Sequence, residues 1–420
     1  MSSTTVSMSP RRQPALMLGI ACLILLVDGY DLYILGTIGP SLEGYQPWGG
    51  TAATIGLLGS ATALGMPFGA MFAGWAADRW GRRAPLAIAV AWISLSMLAA
   101  ALAPSLVVFA VVRFCTGLAL GALIPLVSAF VADQAPVRRR TLYLTIAFGS
   151  IGIGGVIVAL IGRALLPGVH FQVLFLPGVL PILLVPLIWW LVPGEAPAGS
   201  PTEASSKRNR VSQLLAPGVR RTTILFWIAA FLSNALLFST TIWLPTVMVR
   251  AGYDLGSSLE FLIAFTIGAT IGGIAVAPIA DRGHLRTVTF SLFVLAAIAL
   301  FVLSTPQPRP ILLVVSALAG LGSLSSLNMI IACMSAFYLP ALRGTGLGIG
   351  LGIGRIGAIV GPAYLSVVTS LTDAPNAPFF AVIVVAILAA IVMALLPRNL
   401  ASSSELVAAP APARAAEAAA

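Results

Sequence analysis

Residues 74–83 read GWAADRWGRR, with two glycines, one acid and three arginines packed between apolar runs at 52–77 and 84–104. Gly74 and Gly81 permit a tight turn and a close approach of helices. Asp78 can accept hydrogen bonds from a helix N-terminus or from arginines of a neighbouring loop, with Arg79, Arg82 and Arg83 at hand. Such a stretch reads as a latch between two apolar helices.

Working outward from this loop, apolar runs of about 20 residues recur along the whole chain, the length that crosses a bilayer core. They predict twelve helices, at 15–38, 52–77, 84–104, 106–133, 141–163, 170–192, 222–247, 256–280, 286–304, 310–338, 344–371 and 376–397. The composition agrees: 59% of the 420 residues are hydrophobic and 9% charged, with a mean hydropathy of +1.02. A soluble domain carries about 25% charged residues, so the solvent of this chain is lipid.

The net charge of +10 does not indicate nucleic acid, because the basic residues sit in short loops rather than on one face. With the N-terminus in the cytoplasm, 18 of the 23 Lys and Arg fall on the inner side and only Arg163, Arg250 and Arg309 outside; Arg113 and Arg355 lie within helices. That asymmetry predicts cytoplasmic termini in the cell's inner membrane. Asp78-Arg79 recurs 203 residues later as Asp281-Arg282, and Pro40 after the first helix recurs after 205 as Pro245 after the seventh. Two homologous six-helix halves are expected, 1–192 and 222–397, joined by a polar cytoplasmic linker, 193–221, and followed by a disordered tail, 398–420. The three cysteines, Cys22, Cys115 and Cys333, lie in apolar runs and read as packing residues, and neither they nor His170 and His284 form a metal or catalytic cluster. The first run is too long for a signal peptide and contains Asp28 and Asp31, so it reads as an uncleaved helix.

The pattern Gly-x-x-x-Asp-Arg-x-Gly-Arg-Arg at 74–83 resembles the signature loop of the major facilitator superfamily. Its degenerate copy, Ala277 to Arg286, lacks the first glycine. DGYD at 28–31 resembles the first-helix motif of the aromatic acid:proton symporters within that superfamily, as do WLPT at 243–246 and the stretch AFYLPALRGTGLGIGLGIGRIGAIVGP at 336–362. The resemblance implies an all-α membrane fold of twelve helices in two pseudo-symmetric halves. It implies that Asp28, Asp31, Arg113, Asp133, Arg343 and Arg355 fall on positions used for transport. Asp133 stands where that family usually has Glu, and GVHFQVLF at 168–175 lacks its usual Trp-Arg.

The residues themselves suggest how. Asp28 and Asp31 lie three apart on one helix face, and two carboxylates so close in a low-dielectric setting cannot both ionise cheaply. One is then a proton carrier, unless the pair merely caps or joins Arg113. A charge at mid-bilayer costs about 2.5–3.5 kcal/mol, so Arg113 must face a carboxylate or a wet cavity; the resemblance implies a part in proton coupling, the alternative being a structural pair across helices. Arg355 can bind a substrate carboxylate bidentately, or else make a helix contact. Tyr30, Tyr33, Phe238 and Trp243 could stack on an aromatic ring or contact lipid and core, with Asn328 a candidate hydrogen-bond donor.

The expected function is proton-coupled uptake, and the resemblance implies a small aromatic carboxylate such as benzoate or a hydroxybenzoate as the substrate, carried by a monomer with no cofactor beyond the proton gradient. The alternatives are a proton antiporter exporting drugs or metabolites, a symporter of a non-aromatic acid, and a membrane sensor that moves nothing. The exporter is disfavoured because FGSIGIGG at 148–155 lacks the Gly-Pro pair usual in that group. A membrane enzyme is disfavoured because no acid–base or nucleophile constellation lies outside the helices.

Overall fold

A computed structural model describes residues 13–136, 139–192, 211–279, 284–372 and 374–397. The side chains of Asp78 and Asp133, all of Asp281 and Arg282, most of the linker and the tail after 397 lie outside the described residues.

The fold is helical throughout, with twelve stretches long and apolar enough to cross a membrane among the described residues. The first five are α1 (Gln13–Glu43), α2 (Ala52–Trp80), α3 (Arg83–Ala101), α4 (Leu106–Gln134) and α5 (Arg140–Leu165). The sixth crossing is not the single helix its hydropathy predicts. It runs as 3-10 turns, Phe171–Phe175 and Pro177–Leu183, before α6 (Leu184–Leu191). Pro177, Pro181 and Pro186 each lack an N–H, which breaks the regular α-helical ladder. Then follow α7 (Arg220–Arg250), α8 (Leu255–Ile279), α9 (Leu285–Leu303), α10 (Arg309–Phe337), α11 (Pro340–Leu371) and α12 (Ala377–Ala394).

Pro40, expected just past the first helix, lies inside the last turn of α1, and Pro245 lies inside α7, five residues before its end. Neighbouring helices and local adjustment satisfy the carbonyls that a proline leaves free in a membrane helix. Pro340 opens α11 four residues earlier than its apolar run, because a proline in the first turn forfeits an N–H that has no intrahelical partner anyway. Asp254 caps α8, its Oδ2 accepting from the Ser257 N–H at 2.9 Å, and bonds from Ser257 hold its carboxyl below the usual carboxylate range.

Helix pairing in the first six helices reappears in the last six. α1 packs on α5, α2 on α4 and α3 on α4; the counterparts are α7 on α11, α8 on α10 and α9 on α10. The seams are tight. A Cβ at Gly117 of α4 would stand 2.0 Å from the Thr62 carbonyl oxygen, and one at Gly121 would stand 1.9 Å from that of Met66. Only glycine allows α4 to lie this close to α2.

The two sets of helices meet along α2–α11, α5–α8 and α1–α7. Their contacts concentrate at the end remote from the chain termini. There Ser60 Oγ donates to the Ile359 carbonyl at 2.6 Å, Arg250 pairs with Glu43, and Glu260 pairs with Arg163 at 2.6 Å and with Arg309.

Candidate functional site

Asp28 and Asp31 lie midway along α1, 3% and 0% exposed. Asp31 Oδ1 accepts from Arg113 Nη1 at 2.6 Å, and Arg113, on α4, is 1% exposed. The Arg113 Nε donates to Thr62 Oγ1 on α2 at 3.1 Å, and that hydroxyl itself donates a hydrogen bond to the Leu58 carbonyl at 3.0 Å. The guanidinium is thus held from two helices. Asp31 Oδ2 and Asp28 Oδ1 are buried without a hydrogen-bond partner among the described residues. An unpartnered oxygen on a buried acid is costly, and a proton or a bound solute can relieve the cost.

Arg355 reaches this cluster from the second half. It is half-buried on α11 and lies within electrostatic reach of Asp28, while its Nη1 donates to the Met66 thioether of α2 at 3.0 Å. A thioether is a weak acceptor. A narrow cavity opens beside these groups, lined by Leu32 and Leu35 of α1, Thr62 and Met66 of α2, Arg113 of α4, and Phe238 and Ile242 of α7. Arg113 and the Phe238 ring line this cavity, while Asp31 adjoins it through Arg113 and Arg355 through Met66.

The remaining candidates stand elsewhere. Tyr30 turns toward the sixth crossing, its hydroxyl donating to the Leu174 carbonyl at 2.7 Å. Tyr33 packs beside Gly155 and Thr266, where α5 meets α8. Trp243 donates from Nε1 to the Pro362 carbonyl at 3.2 Å and borders a separate apolar cavity with Leu300, Leu365 and Phe379. Asn328 is exposed on α10 beside Gly273 of α8. Thr62 and Met66, by contrast, belong to the site although nothing in the sequence distinguished them. A threonine in an apolar helix bonds its own preceding turn as a matter of course, and a methionine reads as filling.

The signature loop fastens neighbouring helices. Gly81 takes a φ of +69°, which favours glycine. Arg82 Nη1 donates to the Ala129 carbonyl of α4 at 2.7 Å, and Arg83 lies 4.5 Å over the Trp189 ring of α6. The second half repeats the device: Arg286, 203 residues after Arg83, donates to the Met393 and Ala394 carbonyls of α12 at 3.2 and 2.5 Å. Arg79 and Arg343 are exposed.

A fold of twelve membrane helices in two matching sets, with charged groups at their junction, defines a transporter class, and comparison with known proteins agrees. The profile of the Major Facilitator Superfamily matches residues 21–362 and again 261–418. The gentisate transporter of Corynebacterium glutamicum is 32% identical over 403 residues, covering 94% of this chain and 90% of the relative. The benzoate transport protein of Acinetobacter baylyi is 31% identical, over 84% of this chain and 83% of its own. Among solved structures, the D-xylose-proton symporter superposes with a TM-score of 0.75 at 17% identity, over 92% of this chain and 98% of that one, a likeness of fold alone. The chain belongs to the Major Facilitator Superfamily, among its aromatic acid transporters, and is not an enzyme.

Proposed function

We propose that the protein is a proton-coupled symporter that carries small aromatic carboxylates inward across the cell's inner membrane, by alternating access between its halves, 1–192 and 222–397. The termini and the linker, 193–221, face the cytoplasm, and the protein works as a monomer. The observation that carries this reading is the placement of Arg355: a guanidinium bonded to the thioether of Met66, which lines a cavity together with Phe238 and with Arg113, the partner of Asp31. Aromatic acid transport by the relatives named above supports the substrate class.

Charge balance supplies the coupling. With all four groups ionised, Asp28, Asp31, Arg113 and Arg355 sum to zero. A proton on either carboxyl leaves one positive charge, and a monocarboxylate on Arg355 restores neutrality. Proton alone or solute alone leaves an uncompensated charge in a low-dielectric site, which is strongly disfavoured, so the two move together. The substrate carboxylate displaces the Met66 sulfur from Arg355, and its ring lies against Phe238. Asp78, Asp133, Asp281, Arg282 and Arg343 serve with the loop arginines as conformational fasteners at the cytoplasmic end.

Counterflow in proteoliposomes tests this reading, with labelled benzoate, 4-hydroxybenzoate and an aliphatic acid, followed by uptake under an imposed pH gradient or membrane potential. The expected result is exchange of the aromatic acids only, with accumulation driven by the pH gradient and indifferent to the potential, since one proton with one monoanion moves no net charge. Accumulation unaffected by collapse of the pH gradient would refute it.

A further inference from the structure

We infer that Thr62 and Met66, one turn apart on a single face of α2, are positioning residues that join the proton site to the substrate site. The inference rests on the symport reading above and adds the physical link between its two halves.

The two residues hold the two guanidiniums. Thr62 Oγ1 accepts from Arg113 Nε at 3.1 Å, and Met66 Sδ accepts from Arg355 Nη1 at 3.0 Å. Four residues separate them, so both side chains lie on the same stripe of the helix, and both line the cavity. Their backbone is fixed where it matters, since α4 crosses at Gly117 against the Thr62 carbonyl and at Gly121 against that of Met66. Thr62 cannot easily turn away, because its hydroxyl proton is already committed to the Leu58 carbonyl.

Two consequences follow from the bonding. Thr62 keeps the Nε edge of Arg113 away from Asp31, so that only Nη1 contacts the carboxylate. Without the threonine oxygen, a guanidinium only 1% exposed has one strong acceptor left, Asp31. It turns Nε and Nη toward that acid in a fork, which favours the ionised carboxylate and makes proton loading harder. Met66, meanwhile, holds Arg355 and must yield it to the substrate. Its removal frees the guanidinium for the incoming carboxylate.

The groups that bear on Asp31 are few. Arg113 faces it from α4 and Arg355 reaches the cluster from α11, while Asp28, Tyr30 and Tyr33 share α1 with it. Among the described residues, the side chains that line the adjoining cavity add Thr62 and Met66 from α2 and Phe238 and Ile242 from α7. On α5 the nearest titratable groups are at its ends, Tyr143 and Arg163, the latter paired with Glu260 of α8.

The test compares Thr62→Val, Thr62→Ser and Met66→Leu with the parent protein in proteoliposomes, recording initial uptake of labelled gentisate against pH and against concentration. Thr62→Val is expected to move the half-maximal pH for uptake acidward by about one unit, a tenfold change in proton affinity. Thr62→Ser, which keeps the acceptor, should restore the parent profile. Met66→Leu should leave the pH profile in place and lower KM by about two- to fivefold, as expected for loss of a weak competing acceptor. A Thr62→Val profile that coincides with the parent's, or a serine variant as shifted as the valine, overturns the inference while leaving the symport reading intact. If Thr62→Val does not fold, an unchanged KM in Met66→Leu overturns the link on its own. Parent uptake indifferent to the pH gradient overturns both.

Discussion

Two arginines meet at the centre of this molecule under opposite conditions. Arg113 is sealed from solvent, salt-bridged to Asp31 and steadied by Thr62; Arg355 is half-buried and bonded to a sulfur atom. Both cost free energy to place inside a membrane, and only the first has recovered that cost through bonds within its own half. The difference separates a charge built into the structure from a charge awaiting an anion. On the proposed symport reading it also divides the labour between the halves, with proton chemistry in α1 and α4 and carboxylate capture on α11.

The contrast can be broken by substitution, and the largest effect falls on the sealed pair. Arg113→Ala or Asp31→Ala strands a buried charge, a loss of about 3–5 kcal/mol, and thermal unfolding in detergent should show a sharply reduced midpoint or a poor folded yield. Arg355→Ala should spare folding but raise KM by about 10- to 100-fold, equivalent to one charged hydrogen bond of about 1.5–3 kcal/mol. Equal destabilisation by the Arg113 and Arg355 variants would erase the distinction. Phe238→Leu sharpens it further: loss of ring stacking worth about 0.5–1.5 kcal/mol predicts a KM two- to tenfold higher for aromatic acids, with the same pH profile. The smallest effect belongs to the remote end, where Glu260 pairs with Arg163 and Arg309, both about half exposed. Glu260→Gln should change stability by about 0.2–1 kcal/mol and lose even that difference in high salt, as thermal unfolding across a salt series would record.

The same contrast explains what could be read from the chain. Eleven crossings lie within a few residues of their apolar runs, because the bilayer imposes one length and one hydrogen-bonding solution on every span. The sixth departed where three prolines override hydropathy. Asp28, Asp31 and Arg113 declared themselves because a charge in a long apolar run has no cheap alternative explanation. Thr62 and Met66 did not, since their side chains are at home in any membrane helix and matter only through the arginines that reach them. Tyr30 shows the reverse: it sits between the two acids in sequence, yet helical rotation carries its hydroxyl away to the Leu174 carbonyl. The ion pairs Glu43–Arg250 and Glu260–Arg163 were equally hidden, because each joins residues from opposite halves.

Proton movement driven by the solute tests the central claim most directly. Proteoliposomes loaded with a trapped pH dye would receive external gentisate at equal pH on both sides, with protein-free vesicles correcting for passive entry. The account predicts that the parent protein acidifies the lumen beyond that background and that the Asp28→Asn/Asp31→Asn variant, in the fraction recovered folded, does not. Acidification by the Asn variant at the parent's rate, or solute entry by the parent with no accompanying proton, would contradict it.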